Sequence, residues 1–247
     1  MKAGERQGNG NTPRVGEYLE CEKLWVFLTL MCVAGFFGAF TYTIRGGVFC
    51  NAQTANFVLM AMALGEGDWG HALYLLIPMS AYFLGGVVSE AIAGPIKKLE
   101  LIRWDTLFVL LEMAAVVLLG LLPEGAPYQI TQVAINFICS MQYNTFRQAQ
   151  GIPMATTFCT NHLRQTSIAF TKAVKHRDRE QLRRMLSHLA MLGVFVAGGI
   201  AATILCRRFL GRALLFTLIP LGVVLIGLLR ADRIKERGAL SRVPRGH

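Results

Sequence analysis

Two stretches of this chain place hydrogen-bonding side chains inside otherwise apolar sequence. The first, RGGVFCNAQTANF, covers residues 45–57 and offers Arg45, Asn51, Gln53, Thr54 and Asn56. The second, PMATTFCTNHL, covers 153–163 and offers Thr156, Thr157, Thr160, Asn161 and His162. Amides, hydroxyls and an imidazole at this density can coordinate a small polar solute or an ion. They can also satisfy backbone groups freed where a helix breaks, or hold helices together. Two matched interruptions are more than helix packing requires, which favours a solute or ion pathway. Arg45 and Arg147 each close the first apolar span of a half. Such a guanidinium can grip a carboxylate or phosphate with two parallel N–H groups, or reach out to lipid headgroups. Glu112 lies mid-span between Leu111 and Met113, where an ionised, unpaired carboxylate is costly. It is either a proton-coupling carboxylate or a structural hydrogen-bonding group.

These residues need helices to carry them. Of the 247 residues only 16% are charged and 53% are hydrophobic, whereas soluble domains average about 25% charged. Most of the chain must therefore face lipid or other apolar helices. The net charge of +10 does not imply nucleic acid, because the basic residues cluster between apolar runs and at the C-terminus, as in membrane loops. Six cysteines occur without a CxxC pair and the five histidines never stand at metal-ligand spacing. No metal or cofactor is expected, and the cysteines read as small packing residues of a reducing compartment.

Apolar runs at 24–44, 72–93, 106–122, 129–146, 186–206 and 213–229 are each about long enough to cross a bilayer. The 129–146 run is unusually polar, with Gln132, Asn136, Gln142 and Asn144. If both interrupted segments also crossed, the basic KKLELIR stretch (97–103) and the acidic GEGDW turn (65–69) would lie on the wrong sides of the membrane. If each segment dips in and returns, six crossings put the N-terminal tail, KKLELIR, the basic 172–184 stretch and the C-terminal tail in the cytoplasm. Only CRRFLGR (206–212) then breaks the positive-inside pattern. Thr54 matches Thr160, Asn56 matches His162, and Gly85-Gly86 matches Gly198-Gly199. Three crossings per half would make this an inverted repeat, the plan of many secondary transporters.

The expected organisation is a polar cytoplasmic tail (1–23), two membrane repeats (24–122 and 123–229) and a basic cytoplasmic tail (230–247). The expected fold class is an all-α membrane protein of six transmembrane helices plus two broken or re-entrant segments.

At RGGVFCNAQTANF the chain resembles the YoaK family, bacterial multi-pass membrane proteins that carry a domain of unknown function. Arg45, Gly46, Gly47, Phe49, Asn51, Ala52, Gln53, Thr54 and Asn56 fit the first family motif, while Cys50 and Ala55 depart from it. In the second, Ala155, Thr156, Thr157, Cys159, Thr160 and Leu163 fit. Asn161 stands where glycine is usual and His162 where asparagine is usual. The resemblance implies a fold of roughly six spans and supplies no activity. The function expected is a small secondary transporter or channel for a small polar or anionic solute, in the bacterial inner membrane. A non-transporting scaffold or sensor is the alternative, and a membrane enzyme, without a recognisable motif behind it, the second. Beyond the lipid bilayer and such a solute no partner is expected, and nucleic acid is not one; the sequence does not speak to oligomeric state.

Overall fold

A computed structural model describes residues 18–97, 102–236 and Pro244. Most of the polar N-terminal tail, the centre of KKLELIR and most of the basic C-terminal tail lie outside these residues. The regular elements of the described residues are helices and one small hairpin: α1 (Leu24–Ile44), α2 (Gln53–Gly65), α3 (Trp69–Lys97), α4 (Trp104–Gly120), α5 (Tyr128–Thr145), β1 (Gln148–Ala149), β2 (Ile152–Pro153), α6 (Thr160–His176), α7 (Arg179–Phe209) and α8 (Leu218–Arg230). β1 and β2 pair antiparallel across Gln148–Pro153 and Ala149–Ile152.

Among the described residues three helical stretches are long and apolar enough to cross a membrane: Leu24–Ile44, Trp69–Ile92 and Arg179–Lys235, the last holding α7, a 3-10 stretch and α8. α4, at 17 residues, is slightly short by the same measure, and α5 carries the glutamine and asparagine row. Outward faces are apolar: Phe83 is 70% exposed, Leu118 70% and Ile219 68%. Apolar exposure on that scale suits lipid better than water.

The helices pack across the two halves of the chain. α1 lies mainly on α7, and α3 mainly on α5. Glycine makes both approaches possible. A Cβ on Gly198 of α7 would collide with the Cys32 carbonyl of α1, and one on Gly35 of α1 with the Phe195 carbonyl of α7. A Cβ on Gly85 of α3 would collide with the Phe137 carbonyl of α5. Small residues let backbones approach this closely where water-driven burial contributes little.

Two polar stretches take defined shapes. The basic 172–184 stretch is the tip of a helical hairpin. α6 runs to His176, Arg177 turns the chain with φ 49°, and the Asp178 side chain accepts from Glu180 N at 2.8 Å to start α7. The end of the N-terminal tail is also ordered. Glu20–Glu22 form a 3-10 turn whose three residues are buried.

That turn belongs to an ionic cluster at one end of the bundle. Arg103 reaches Asp105 at 3.5 Å, Glu236 at 3.4 Å and Asp232 at 4.0 Å. Glu236 also accepts from Glu20 N at 2.7 Å, and Thr106 donates to Asp232 at 2.7 Å. Burial pushes the Glu236 carboxyl above its ordinary range, against the opposing pull of the Glu20 N–H and of Arg103. The start of α1, the α3–α4 connection and the end of α8 therefore meet at the same end. At the other end Arg45 faces Glu124 at 3.5 Å, and Gly211 N donates to Glu124 at 2.8 Å.

A matched pair of substitutions tests the helix contacts. Gly198→Ala should destabilise the protein in detergent by about 1–3 kcal/mol, because α7 must move off α1. Gly193→Ala, on the same helix with open space around it, should be neutral or slightly stabilising. Thermal unfolding of the two variants side by side makes the comparison.

Candidate functional site

The first interrupted segment turns back on itself immediately after α1. Gly46 and Gly47 take φ 82° and 73°, conformations costly for other residues. A side chain on Gly46 would also strike Gln132 Nε2 and the Tyr74 hydroxyl. The segment then runs back along α1. Asn51, 4% exposed, donates to the Ala34 carbonyl at 2.9 Å, midway along that helix. α2 begins two residues later.

The polar row of α5 receives this segment at both ends. Gln132 Nε2 donates to the Arg45 carbonyl at 2.5 Å, and Gln53 Nε2 donates to Asn136 Oδ1 at 2.8 Å. Asn136 in turn donates to the Gln132 carbonyl at 2.9 Å. Asn56 is fully buried and turned inward on its own segment. Its Oδ1 accepts from Phe49 N at 3.0 Å, and its Nδ2 donates to Phe49 O at 2.6 Å.

The second segment is built alike. Arg147 donates to the Asn144 carbonyl and to Glu90, both at 2.8 Å. The hairpin follows, its turn at Gln150 and Gly151 in left-handed conformations, and Gln150 N donates to the Glu22 carbonyl at 2.8 Å. Met154, Ala155, Thr156 and Thr157 then run through the buried interior. Gln142 of α5 donates to the Thr156 carbonyl at 3.1 Å. His162, on the first turn of α6, reaches the Ala155 carbonyl through Nε2 at 2.7 Å. A carbonyl only accepts, so Nε2 carries the proton. Nδ1 faces His188 Nδ1 of α7 at 2.9 Å.

Asn56 and His162, matched in the sequence, thus each bind backbone seven residues upstream and tie the first turn of a helix to the strand of chain leading into it. Thr54 and Thr160, the other matched pair, are exposed on those same first turns. They stand outside the buried network.

The two segments approach each other around α3 and α5. The Tyr82 hydroxyl, midway along α3, lies against the Thr157 hydroxyl and near Cys50 and Cys139, although the Thr157 oxygen closes no hydrogen bond of normal geometry. The Cys50 thiol meets that of Cys139 on α5. Glu112 of α4 is fully buried, lies within electrostatic range of Cys139, and has no hydrogen-bond partner on either oxygen among the described residues. Gln132 Oε1, Gln142 Oε1 and the Thr156 hydroxyl are likewise buried without a partner. No direct hydrogen bond joins the two segments among the described residues; Tyr82, Cys139 and the α5 amides stand between them.

Sequence reasoning found the segments and the α5 amides. It did not single out Tyr82, His188 or the Cys50–Cys139 contact. A lone tyrosine or histidine in an apolar span carries no periodic signal. The two cysteines, 89 positions apart, read separately as packing.

The parallel between Asn56 and His162 can be measured. His162→Ala should lower stability by about 1–3 kcal/mol, since it leaves the buried Ala155 carbonyl and His188 unpartnered. His162→Asn should recover a good part of that loss, because an amide makes the equivalent bond from Asn56. Denaturation in detergent distinguishes the two; equal losses would contradict the shared role.

No curated protein and no solved structure matches the chain. A family model described as Protein of unknown function (DUF1275) matches residues 26–227. Its match runs from near the start of α1 to near the end of α8 and contains both interrupted segments. The chain belongs to this family, whose domain is the one that the YoaK family carries.

Proposed function

We propose that this protein is a small secondary transporter or channel for a small polar or anionic solute, built as six crossings with two re-entrant segments in an inverted repeat. One observation carries the reading: the interior holds buried polar atoms with no hydrogen-bond partner among the described residues, on Thr156 and Thr157 of the second segment and on Gln132 and Gln142 of α5, together with a fully buried Glu112 on α4 whose two oxygens have none either. A scaffold has no need for such groups in its interior. In this reading α2 and α6 are half-helices whose N-termini point at the middle of the bundle, where their partial positive charge favours an anion.

The exchange of contacts between halves supports the repeat. α1 on α7 and α3 on α5 are equivalent pairs once 24–44 is matched with 129–146, and the glycines at the two crossings, Gly198 and Gly85, are themselves matched. The ionic cluster supports a common side for the N-terminal turn, the α3–α4 connection and the C-terminal turn. By charge bias that side is the cytoplasm of a bacterial inner membrane. Glu112 is the group proposed to carry a coupling proton, with Asn51, Gln53, Thr156 and Thr157 nearest the route. Arg45 and Arg147 stand towards its two ends. Asn56, His162, Thr54 and Thr160 shape the segments from their first helical turns. No catalytic chemistry is proposed.

Two experiments test this. In a cysteine-free background, a cysteine at Gly67 should react with an impermeant thiol reagent from outside the cell and one at His176 should not. Labelling of both from one side would remove the six-crossing arrangement. In proteoliposomes, uptake of a small anion should be saturable, and Glu112→Gln should reduce proton-driven uptake at least about tenfold with the folded yield unchanged. Absence of flux across a broad panel of polar solutes would turn the reading to a membrane scaffold.

A further inference from the structure

We propose that Arg45 is an oxyanion-binding group at one mouth of the bundle, and that Glu124 is an internal counter-anion which an incoming carboxylate or phosphate displaces. The use of this site in transport rests on the function proposed above; binding at the site does not.

Arg45 is 3% exposed, yet its guanidinium is poorly matched. Nη1 stands 3.5 Å from Glu124 Oε2, and neither Nε nor Nη2 has a hydrogen-bond partner among the described residues. A well-made arginine–carboxylate pair has two parallel contacts at about 2.7–2.9 Å. Here there is a single long one. The other Glu124 oxygen is engaged elsewhere, accepting from Gly211 N at 2.8 Å, and the Glu124 side chain is 48% exposed. Glu124 is therefore divided between two donors and within reach of water. The Phe40 ring lies 5.7 Å from Cζ, the Gly211 backbone stands where any Cβ would collide with Nη2, and Cys206 is within electrostatic range. None of them accepts a hydrogen bond from Nε or Nη2. The fork of two N–H groups left open has the geometry that recognises a bidentate oxyanion.

The cover over this fork is itself held away from a relaxed conformation. Leu210, next to Gly211, has φ 49° and ψ −130°, a sparsely populated region for a residue with a side chain. Movement of Leu210 and Gly211 would relax that backbone, uncover Nη2 and free the Gly211 N–H to join the arginine in holding the anion.

The last turn of α7 and the 3-10 stretch after it carry the basic residues that the positive-inside pattern leaves unexplained. Arg207, Arg208 and Arg212 are exposed around Gly211. Their position beside Arg45 gives them a role other than topology: a concentration of positive potential at the mouth that draws anions towards the site.

The test uses the purified full-length protein with succinate and inorganic phosphate as probes, read by calorimetry and by thermal shift. Wild type should bind at least one probe weakly. Glu124→Gln should tighten that binding roughly tenfold by removing the internal competitor. Arg45→Gln/Glu124→Gln, which removes both charges and so leaves no unpaired ion, should bind neither. Unchanged or weaker binding by Glu124→Gln, probe binding retained by the double variant, or no binding by either wild type or Glu124→Gln would each overturn the proposal. Nanodiscs of phosphatidylcholine with and without phosphatidylglycerol separate the sources of the oxyanion. An Arg45-dependent shift caused by phosphatidylglycerol and not competed by soluble anions assigns the site to a lipid headgroup; competition assigns it to a soluble anion. Arg45-dependent binding without flux in proteoliposomes would sink the transport reading and leave this site standing. Flux carried equally well by the double variant would do the reverse.

Discussion

A helix that breaks inside an apolar bundle releases amide and carbonyl groups that have no water to turn to, and each needs a partner. The interior follows from how α5 meets that demand. Its Gln132 takes the Arg45 carbonyl, its Asn136 takes Gln53, and its Gln142 takes the Thr156 carbonyl. One helix thus serves both interrupted segments, on a polar row that would be expensive facing lipid. The low apolarity of α5, which sets it apart from the other spans, is the consequence. It packs against α3 and turns its amides inward.

Much of this was legible beforehand, for a physical reason. Lipid-facing helices need long uncharged runs, so α1 was readable to the residue. Interruptions rich in amides and hydroxyls stand out against such runs, so the breaks after α1 and after α5 were readable. Helix ends were harder. α7 begins seven residues before its apolar run because Arg179–Met185 projects beyond the apolar region, where charge does not oppose helix formation. The burial of Glu20 and Glu22 was not readable, because a short polar stretch shows nothing of the Arg103 and Glu236 groups that receive it. Arg103, which donates to the Cys21 sulfur, lies 82 positions from it, and Glu236, which accepts from Glu20 N, lies 216 positions from that residue. The division of roles inside the segments was also hidden. Asn56 and Asn51 look alike in sequence, yet one ties its own segment together and the other reaches across to α1.

The two ends of the bundle treat charge differently. At the end holding the termini, Arg103 is surrounded by acids, and Lys23 and Lys235 add further pairs to Glu20 at 2.7 and 3.4 Å. Removing Arg103 would leave Asp105, Asp232 and Glu236 without the cation they share, so this end is braced. At the other end a single arginine faces a half-exposed carboxylate across one long contact. The end with fewer ionic constraints also holds Leu210 at φ 49° and ψ −130°.

The crossed packing of the halves has a consequence for how the chain is made. Gly35 on α1 meets Phe195 on α7, a partner that follows it by about 160 residues. At a synthesis rate of roughly 5–20 residues per second, α1 waits on the order of ten to thirty seconds for its principal neighbour. Throughout that interval its small-residue face, Gly35 included, is in the bilayer without its groove. α3 has no such delay, since α5 follows it closely. The second half can therefore assemble on α3 as it emerges, while α1 is held in reserve, and the last large contact to close is the one that joins the first helix made to one of the last.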